Sequence, residues 1–206
     1  MKKRALNIIL VIVMLIATLF ILTGCGSNKL KSNKDVEEML EKNYPDESFE
    51  IISKEEKELE AHDSSGSVSK GKGYSYNVKS KDTNIEFTVQ DTYGYISGGW
   101  AKYDIADDYR EQATLKYIND YGDERLHFVD DYDIDINVKL SDFTSTEEIA
   151  NLLYNFKTYL FDKKPFKNSS YYSIYYKVYN NENEVLGTTI PLYKINSTSD
   201  IYDYLK

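Results

Sequence analysis

The feature that most constrains this 206-residue chain is its single cysteine, Cys25, which closes the one long apolar run in the sequence. With one thiol the chain can form no internal disulfide, no CxxC redox pair and no cysteine-ligated zinc site. Its fold must be held by buried apolar surface alone. The run itself, Ala5 to Leu22, is interrupted only by Asn7 and Thr18 and follows Lys2, Lys3 and Arg4. A short basic head before an apolar stretch is the pattern of a secretory signal, with the charges left on the cytoplasmic side of the bilayer.

The run ends Leu22-Thr23-Gly24-Cys25. This resembles the lipobox of bacterial lipoproteins: an apolar residue, two small or uncharged residues, then cysteine. The resemblance implies cleavage between Gly24 and Cys25 and a diacylglyceryl group on the Cys25 thiol. It also implies a domain anchored to the cell membrane and facing the exterior. Two acyl chains suffice for stable anchoring where one does not. The alternative is an uncleaved transmembrane anchor, since an apolar run of about 18 residues falls inside the spanning range of about 17–25. Both readings place the domain outside the cytoplasmic membrane. The remainder resembles the small uncharacterised lipoproteins of low-GC Gram-positive bacteria. That resemblance rests on Leu40-Glu41-Lys42-Asn43-Tyr44-Pro45 through Phe49-Glu50-Ile51-Ile52-Ser53, and on Asp107-Asp108-Tyr109. Such lipoproteins imply no activity, so no site residue carries over.

Loss of residues 1–24 removes three basic and no acidic side chains, which moves the net charge from −9 to −12. An acidic surface argues against nucleic acid, whose phosphates need basic partners. It also argues against a domain lying flat on anionic lipid. Charge of this sign is also simply a route to solubility. Tyrosine is abundant, with 20 of 206 residues. It completes core edges with a wet hydroxyl, and it makes good binding surface.

Four regions are expected: a signal peptide at 1–24, a lipidated polar tether at 25–34, an N-terminal α+β subdomain at 35–122 and a C-terminal one at 123–206. Val36, Met39, Leu40 and Tyr44 mark a first helix, capped by Asn33 and ended by Pro45. Phe49 and Ile51 begin a strand. Glu55 to Gly73 is charged and then small and polar, and reads as loop. Tyr74-Tyr76-Val78 and Ile85-Phe87-Val89 alternate as a hairpin. Tyr93 to Trp100, with three glycines, reads as a turn-rich excursion. Ile105 to Tyr121 is an amphipathic helix closed by Gly122. Tyr132 to Leu140 alternates as a strand with a solvated acidic face. Thr144 with Glu147, or Ser145 with Glu148, forms a capping box for a helix along Ile149, Leu152, Leu153, Phe156 and Leu160. Tyr171–Tyr179 and Val185–Tyr193 form a last hairpin, and Ser199 caps a final helix. The expected fold class is α+β, antiparallel sheet packed by helices, in the order α-β-β-β-α then β-α-β-β-α.

No catalytic set assembles from these residues. Asp131, Asp133 and Asp135 have calcium-loop spacing, but an EF-hand needs glycine at its sixth position and glutamate at its twelfth, where Ile136 and Asp142 stand. The two histidines, His62 and His127, form no zinc pair. Tyr95-Ile96-Ser97-Gly98-Gly99 lacks the first glycine of a nucleophile elbow. Gly71-Lys72-Gly73 and Gly98-Gly99 fit no phosphate loop. No cofactor and no metal site is expected. The candidate recognition surface is aromatic: Tyr93, Tyr95, Trp100 and Tyr103 around three glycines, suited to sugar stacking or a protein grip. The competing reading is ordinary packing at the core edge.

The expected function is a membrane-anchored, non-enzymatic binding or interaction module. Its partners are the membrane, through lipid on Cys25, and an extracellular protein or glycan. An immunity or inhibitor role against an exported toxin is one version. The alternative is an envelope enzyme acting on glycan or peptide through paired carboxylates that no local motif singles out. A two-lobed solute receptor is disfavoured by size.

Overall fold

The structure is a computed structural model that describes residues 30–62, 68–96, 100–130, 134–167, 174–180 and 189–205. Cys25, Gly24 and the leader lie outside these residues. Helix α1 spans Asn33–Asn43. It is followed by strands β1 (Phe49–His62), β2 (Val68–Ser80), β3 (Glu86–Ile96) and β4 (Trp100–Asp107). Helix α2 is Tyr109–Tyr121, then come β5 (His127–Asp130) and β6 (Ile134–Lys139). Helix α3 (Thr146–Phe161), β7 (Ile174–Tyr179), β8 (Ile190–Pro191) and α4 (Thr198–Tyr204) complete the chain. The fold is α+β, with helices and strands in the expected order. There are two sheets, β1-β2-β3-β4 and β5-β6-β7-β8. The first is antiparallel throughout. In the second, β6 and β7 run parallel, a pairing that needs the long crossover supplied by α3.

The helices form where apolar spacing and caps agree. In α1, Val36, Leu40 and the following Tyr44 are buried on one stripe. The cap is Ser32 rather than Asn33: Ser32 and Asp35 satisfy each other's backbone N–H groups in a capping box. Ser145 caps α3 by accepting the Glu148 N–H at 3.2 Å. The Glu148 carboxylate reaches back to Thr144. Ile149, Leu152, Leu153, Phe156 and Leu160 of α3 are buried. Gly122 ends α2 with φ of +75°, a left-handed cap that disfavours any side chain. Ser197, not Ser199, caps α4.

Three strand assignments correct the sequence reading. The stretch expected as loop after Glu55 is two long paired strands, with Lys57 opposite Gly73 and His62 opposite Val68. Cross-strand ion pairs join Lys72 to Glu56 and Lys70 to Glu58 and Glu60. The excursion expected at Tyr93 to Trp100 is the far end of the β3–β4 hairpin, with Tyr93 opposite Tyr103 and Ile96 opposite Trp100. The solvated acidic face expected on β6 is covered at Asp135, which is 2% exposed and ion-paired with Lys177 of the neighbouring β7. The parallel register brings Lys177 beside Asn137, one step from Asp135 on that face. Asp131, Asp133, Tyr171, Tyr172 and residues 185–188 of the expected Val185–Tyr193 strand lie outside the described residues.

Buried side chains from both sheets and all four helices make one apolar cluster. Tyr117 of α2 meets Phe166 edge-on, and Tyr121 meets Phe156 of α3 at 5.1 Å between ring centres. Lys164 donates to the Asp46 carbonyl and, at 3.1 Å, to the Asp82 carboxylate. This ties the turn after α3 to the N-terminal sheet. Ser145→Ala removes one cap bond and is expected to cost about 1 kcal/mol of folding free energy, measured by urea unfolding.

Candidate functional site

The N-terminal sheet divides. Strands β2 and β3 pair from Lys79 with Glu86 to Ser75 with Gln90, and there the ladder stops. Beyond it, β1–β2 and β3–β4 continue as two separate two-stranded arms. The next β2 donor, the Tyr74 N–H, is accepted not by a strand carbonyl but by Oδ2 of Asp91 at 2.9 Å. Asp91 is 1% exposed, and its Oδ1 has no hydrogen-bond partner among the described residues. Burial pushes its carboxyl above the usual carboxylate range, opposed by the N–H groups of Tyr74 and Lys31 and by the charges of Lys31 and Lys54. Gly73 sits where the arms part. A Cβ there would stand 2.9 Å from Asp91 Cβ and overlap Leu59 Cδ1. Only a residue without a side chain lets Leu59 cross to Asp91.

The chain joins the fold at this same fork. The Tyr76 hydroxyl donates to the Lys31 carbonyl at 2.8 Å. Lys54 lies over the Tyr74 ring, 3.6 Å from its centre, a cation–π contact that covers the inner side of the charged arm.

On the opposite face of the sheet lies an open polar trough of about 390 Å³. Its floor is short side chains, Ser53, Ser75 and Thr88, and its walls include Glu55, Glu86 and Gln112. Short polar residues flanked by long ones on neighbouring strands leave a concavity lined with donors and acceptors. That suits a hydrophilic partner better than an apolar one.

A third cluster joins α1, α2 and the β2–β3 turn. Tyr109 donates its hydroxyl to Glu47, which also accepts from Ser80 at 3.1 Å. Tyr44 donates to Asp107 at 2.7 Å. Burial holds both phenols well above their ordinary range, with the neighbouring carboxylates adding to the shift. Phenols held this firmly neutral act as hydrogen-bond donors, so this cluster fastens elements together. A cavity of about 100 Å³ beside it is lined by Tyr44, Pro45, Lys164 and Pro165.

Of the sequence-predicted surface, Tyr93 and Tyr95 stand on β3, and Trp100 and Tyr103 on β4, all at the end of one hairpin. Register pairs the two tyrosines Tyr93 and Tyr103 directly, while Trp100 falls at the alternate position opposite Ile96. His127 lies on the edge strand β5 and His62 at the end of β1, in different sheets. Asp91 was not singled out by sequence reasoning. The one available signal was a charged residue at an inward position of the Phe87-Val89 alternation.

Two outcomes follow from the fork. Gly73→Ala is expected to destabilise by about 1–3 kcal/mol through overpacking, visible as a lower urea midpoint. A carboxyl whose folded pKa is raised adds stability that is complete below its unfolded value, near 3.8, and fades as pH rises through the folded value. Asp91→Asn keeps an acceptor for the Tyr74 N–H and loses that dependence. Its stability relative to the parent is therefore expected to rise between about pH 4 and pH 7; a flat difference in urea midpoints across that range would contradict this account. Comparison with family models, curated proteins and solved structures finds no significant match for this chain.

Proposed function

We propose that the chain is a membrane-anchored extracellular lipoprotein whose folded part is a non-enzymatic binding module. The observation that carries this reading is where the fold begins. Lys31 is held by Tyr76, and Ser32 caps α1, only six and seven positions after Cys25. Lipid on that cysteine would tether the domain by a strand of chain no longer than about 20 Å, at about 3.3–3.6 Å per residue. The leader before Cys25 supports the same reading, as does the absence of any other thiol in the sequence.

The binding face in this reading is the polar trough on the outer side of the N-terminal sheet. Its mixture of hydroxyl, amide and carboxylate groups suits an extracellular peptide or glycan. The enzyme reading has one observation in its favour: Glu55, Glu86 and Asp108 all border that trough. Glu86, however, is over half exposed and lies 3.8 Å from Lys79.

Cys25→Ser tests the anchor: cells fed labelled palmitate should label the parent chain and not the variant, and persistent label refutes lipidation at Cys25. Asn77→Trp tests the face. Asn77 is exposed and borders the trough, so a bulky ring there should fill it without disturbing the core. Crosslinking in intact cells should recover a partner with the parent chain and at least tenfold less with the variant. Equal recovery would move the binding face elsewhere, and recovery of nothing by the parent would count against the binding module itself.

A further inference from the structure

We infer that the end of the β3–β4 hairpin rests in the headgroup layer of the membrane to which the chain is tethered. This rests on the lipid-anchor reading above and adds an orientation to it. Three observations bring the hairpin and the lipid together. First, the length of chain before the fold is short: six residues from Cys25 to Lys31 span at most about 20 Å. Second, those residues join the fold at the fork, where the Tyr76 hydroxyl binds the Lys31 carbonyl and the Lys31 N–H faces Asp91. Asp91 is the residue from which the β3–β4 arm departs. From Asp91 to Ile96 the arm extends about 17 Å at roughly 3.4 Å per residue. The reach of the arm and the reach of the tether therefore match, and both start from one point.

Third, the composition of this arm is set apart from the rest of the chain. From Thr92 to Tyr103 the only charged residue is Lys102, in a chain of net charge −9. The same stretch carries Tyr93, Tyr95, Tyr103 and Trp100, the sole tryptophan. Tryptophan and tyrosine concentrate at membrane–water interfaces because their rings are apolar and their N–H or O–H groups stay hydrated. The neighbouring β1–β2 arm has the opposite character, with Glu55, Glu56, Glu58 and Glu60 on one strand and Lys70 and Lys72 on the other. A headgroup layer accepts the first arm and excludes the second. Register places Tyr93 opposite Tyr103 and Trp100 opposite Ile96, so both rows of the hairpin end carry aromatic or aliphatic residues. Such an end can insert as a tip, with no need for one apolar side.

Because Trp100 is the only tryptophan, its fluorescence reports the hairpin and nothing else. The chain is purified from membranes and its mass measured, which shows whether Cys25 carries lipid. It is then reconstituted into phosphatidylcholine vesicles with either plain acyl chains or chains brominated near the glycerol end. The expected result is shorter-wavelength Trp100 emission than in the urea-unfolded chain, and clear loss of intensity in the brominated vesicles. Equal intensity in brominated and plain vesicles overturns the proposal and leaves the arm facing outward, toward the wall or a protein. The same sample needs no substitution, so misfolding of a variant cannot mimic either result. If the mass shows an intact leader and no lipid, the anchor reading fails by itself, and the bromolipid comparison still decides where Trp100 lies.

Discussion

The hydrogen bond from the Tyr74 N–H to the Asp91 carboxylate is the constraint on which the shape of the N-terminal half depends. An antiparallel ladder has no intrinsic reason to stop, since every second further pair adds two backbone bonds. Here the ladder between β2 and β3 stops because a side chain takes the next donor. A buried backbone N–H without a partner would cost roughly 1–3 kcal/mol, so the division of the sheet needs a substitute acceptor. The substitute is a carboxyl group in a place that disfavours its charged form, with one oxygen unpartnered among the described residues. It is kept because the alternatives are a lost donor or a second strand locked flat against the third along its whole length. Gly73 completes the arrangement: Leu59 crosses over its missing side chain and closes the junction with apolar surface.

The rest of the molecule follows from burying what the fork leaves open. Tyr44, Phe49, Phe87 and Tyr109 pack together beneath the sheet, three of their contacts edge to face and two tilted, with ring centres 4.5 to 5.8 Å apart. The two phenols of that group end in carboxylates, Asp107 and Glu47, so their hydroxyls are satisfied where water is scarce. Through Lys164, Phe166 and Tyr117 the same core continues into the second sheet. A chain with one cysteine cannot staple its parts together. It makes a single apolar cluster instead, and charged contacts at the rim fix the approach of the two sheets.

Elements with one dry face were legible in the sequence. Val36 and Leu40, Phe87 and Val89, and the row from Ile149 to Leu160 all recur at the period of their element because one side meets the core. What was not legible lacks that asymmetry. Glu55 to His62 and Val68 to Lys72 are strands with water on most sides. Their pairing rests on a ladder and on Lys–Glu contacts, and neither leaves a hydrophobic period. Asp135 misled in the opposite sense. Its alternation with Ile134 and Ile136 marks a strand correctly, yet the polar face is covered, because parallel pairing sets Lys177 of a distant segment alongside. Long-range ion pairs of this kind have no local signature. The aromatic residues from Tyr93 to Tyr103 were found by composition. Their glycines suggested turns, whereas the backbone there is extended and paired on both sides of the tip.

Charge distribution then limits how such a molecule can stand on a membrane. In the proposed lipoprotein the domain without its leader would carry −12, a net charge that an anionic lipid surface repels. The repulsion is screened over about 8–10 Å in physiological salt, so what matters is which side comes within that distance. In the proposed anchored form, a tether of about 20 Å would hold the domain close whether or not the contact is favourable. Of the two arms that leave the fork, only β3–β4 ends without carboxylates, and its one charge, Lys102, is attracted by phosphate. The proposed orientation, with that arm toward the lipid, is therefore also the one that brings the fewest carboxylates near it. The trough bordered by Ser53, Glu55 and Asn77 opens on the outer side of the sheet, and the carboxylates at its rim resist contact with the same lipid. In the proposed tethered form, net charge and the register of the four aromatic residues on β3 and β4 thus favour the same direction for the proposed binding face.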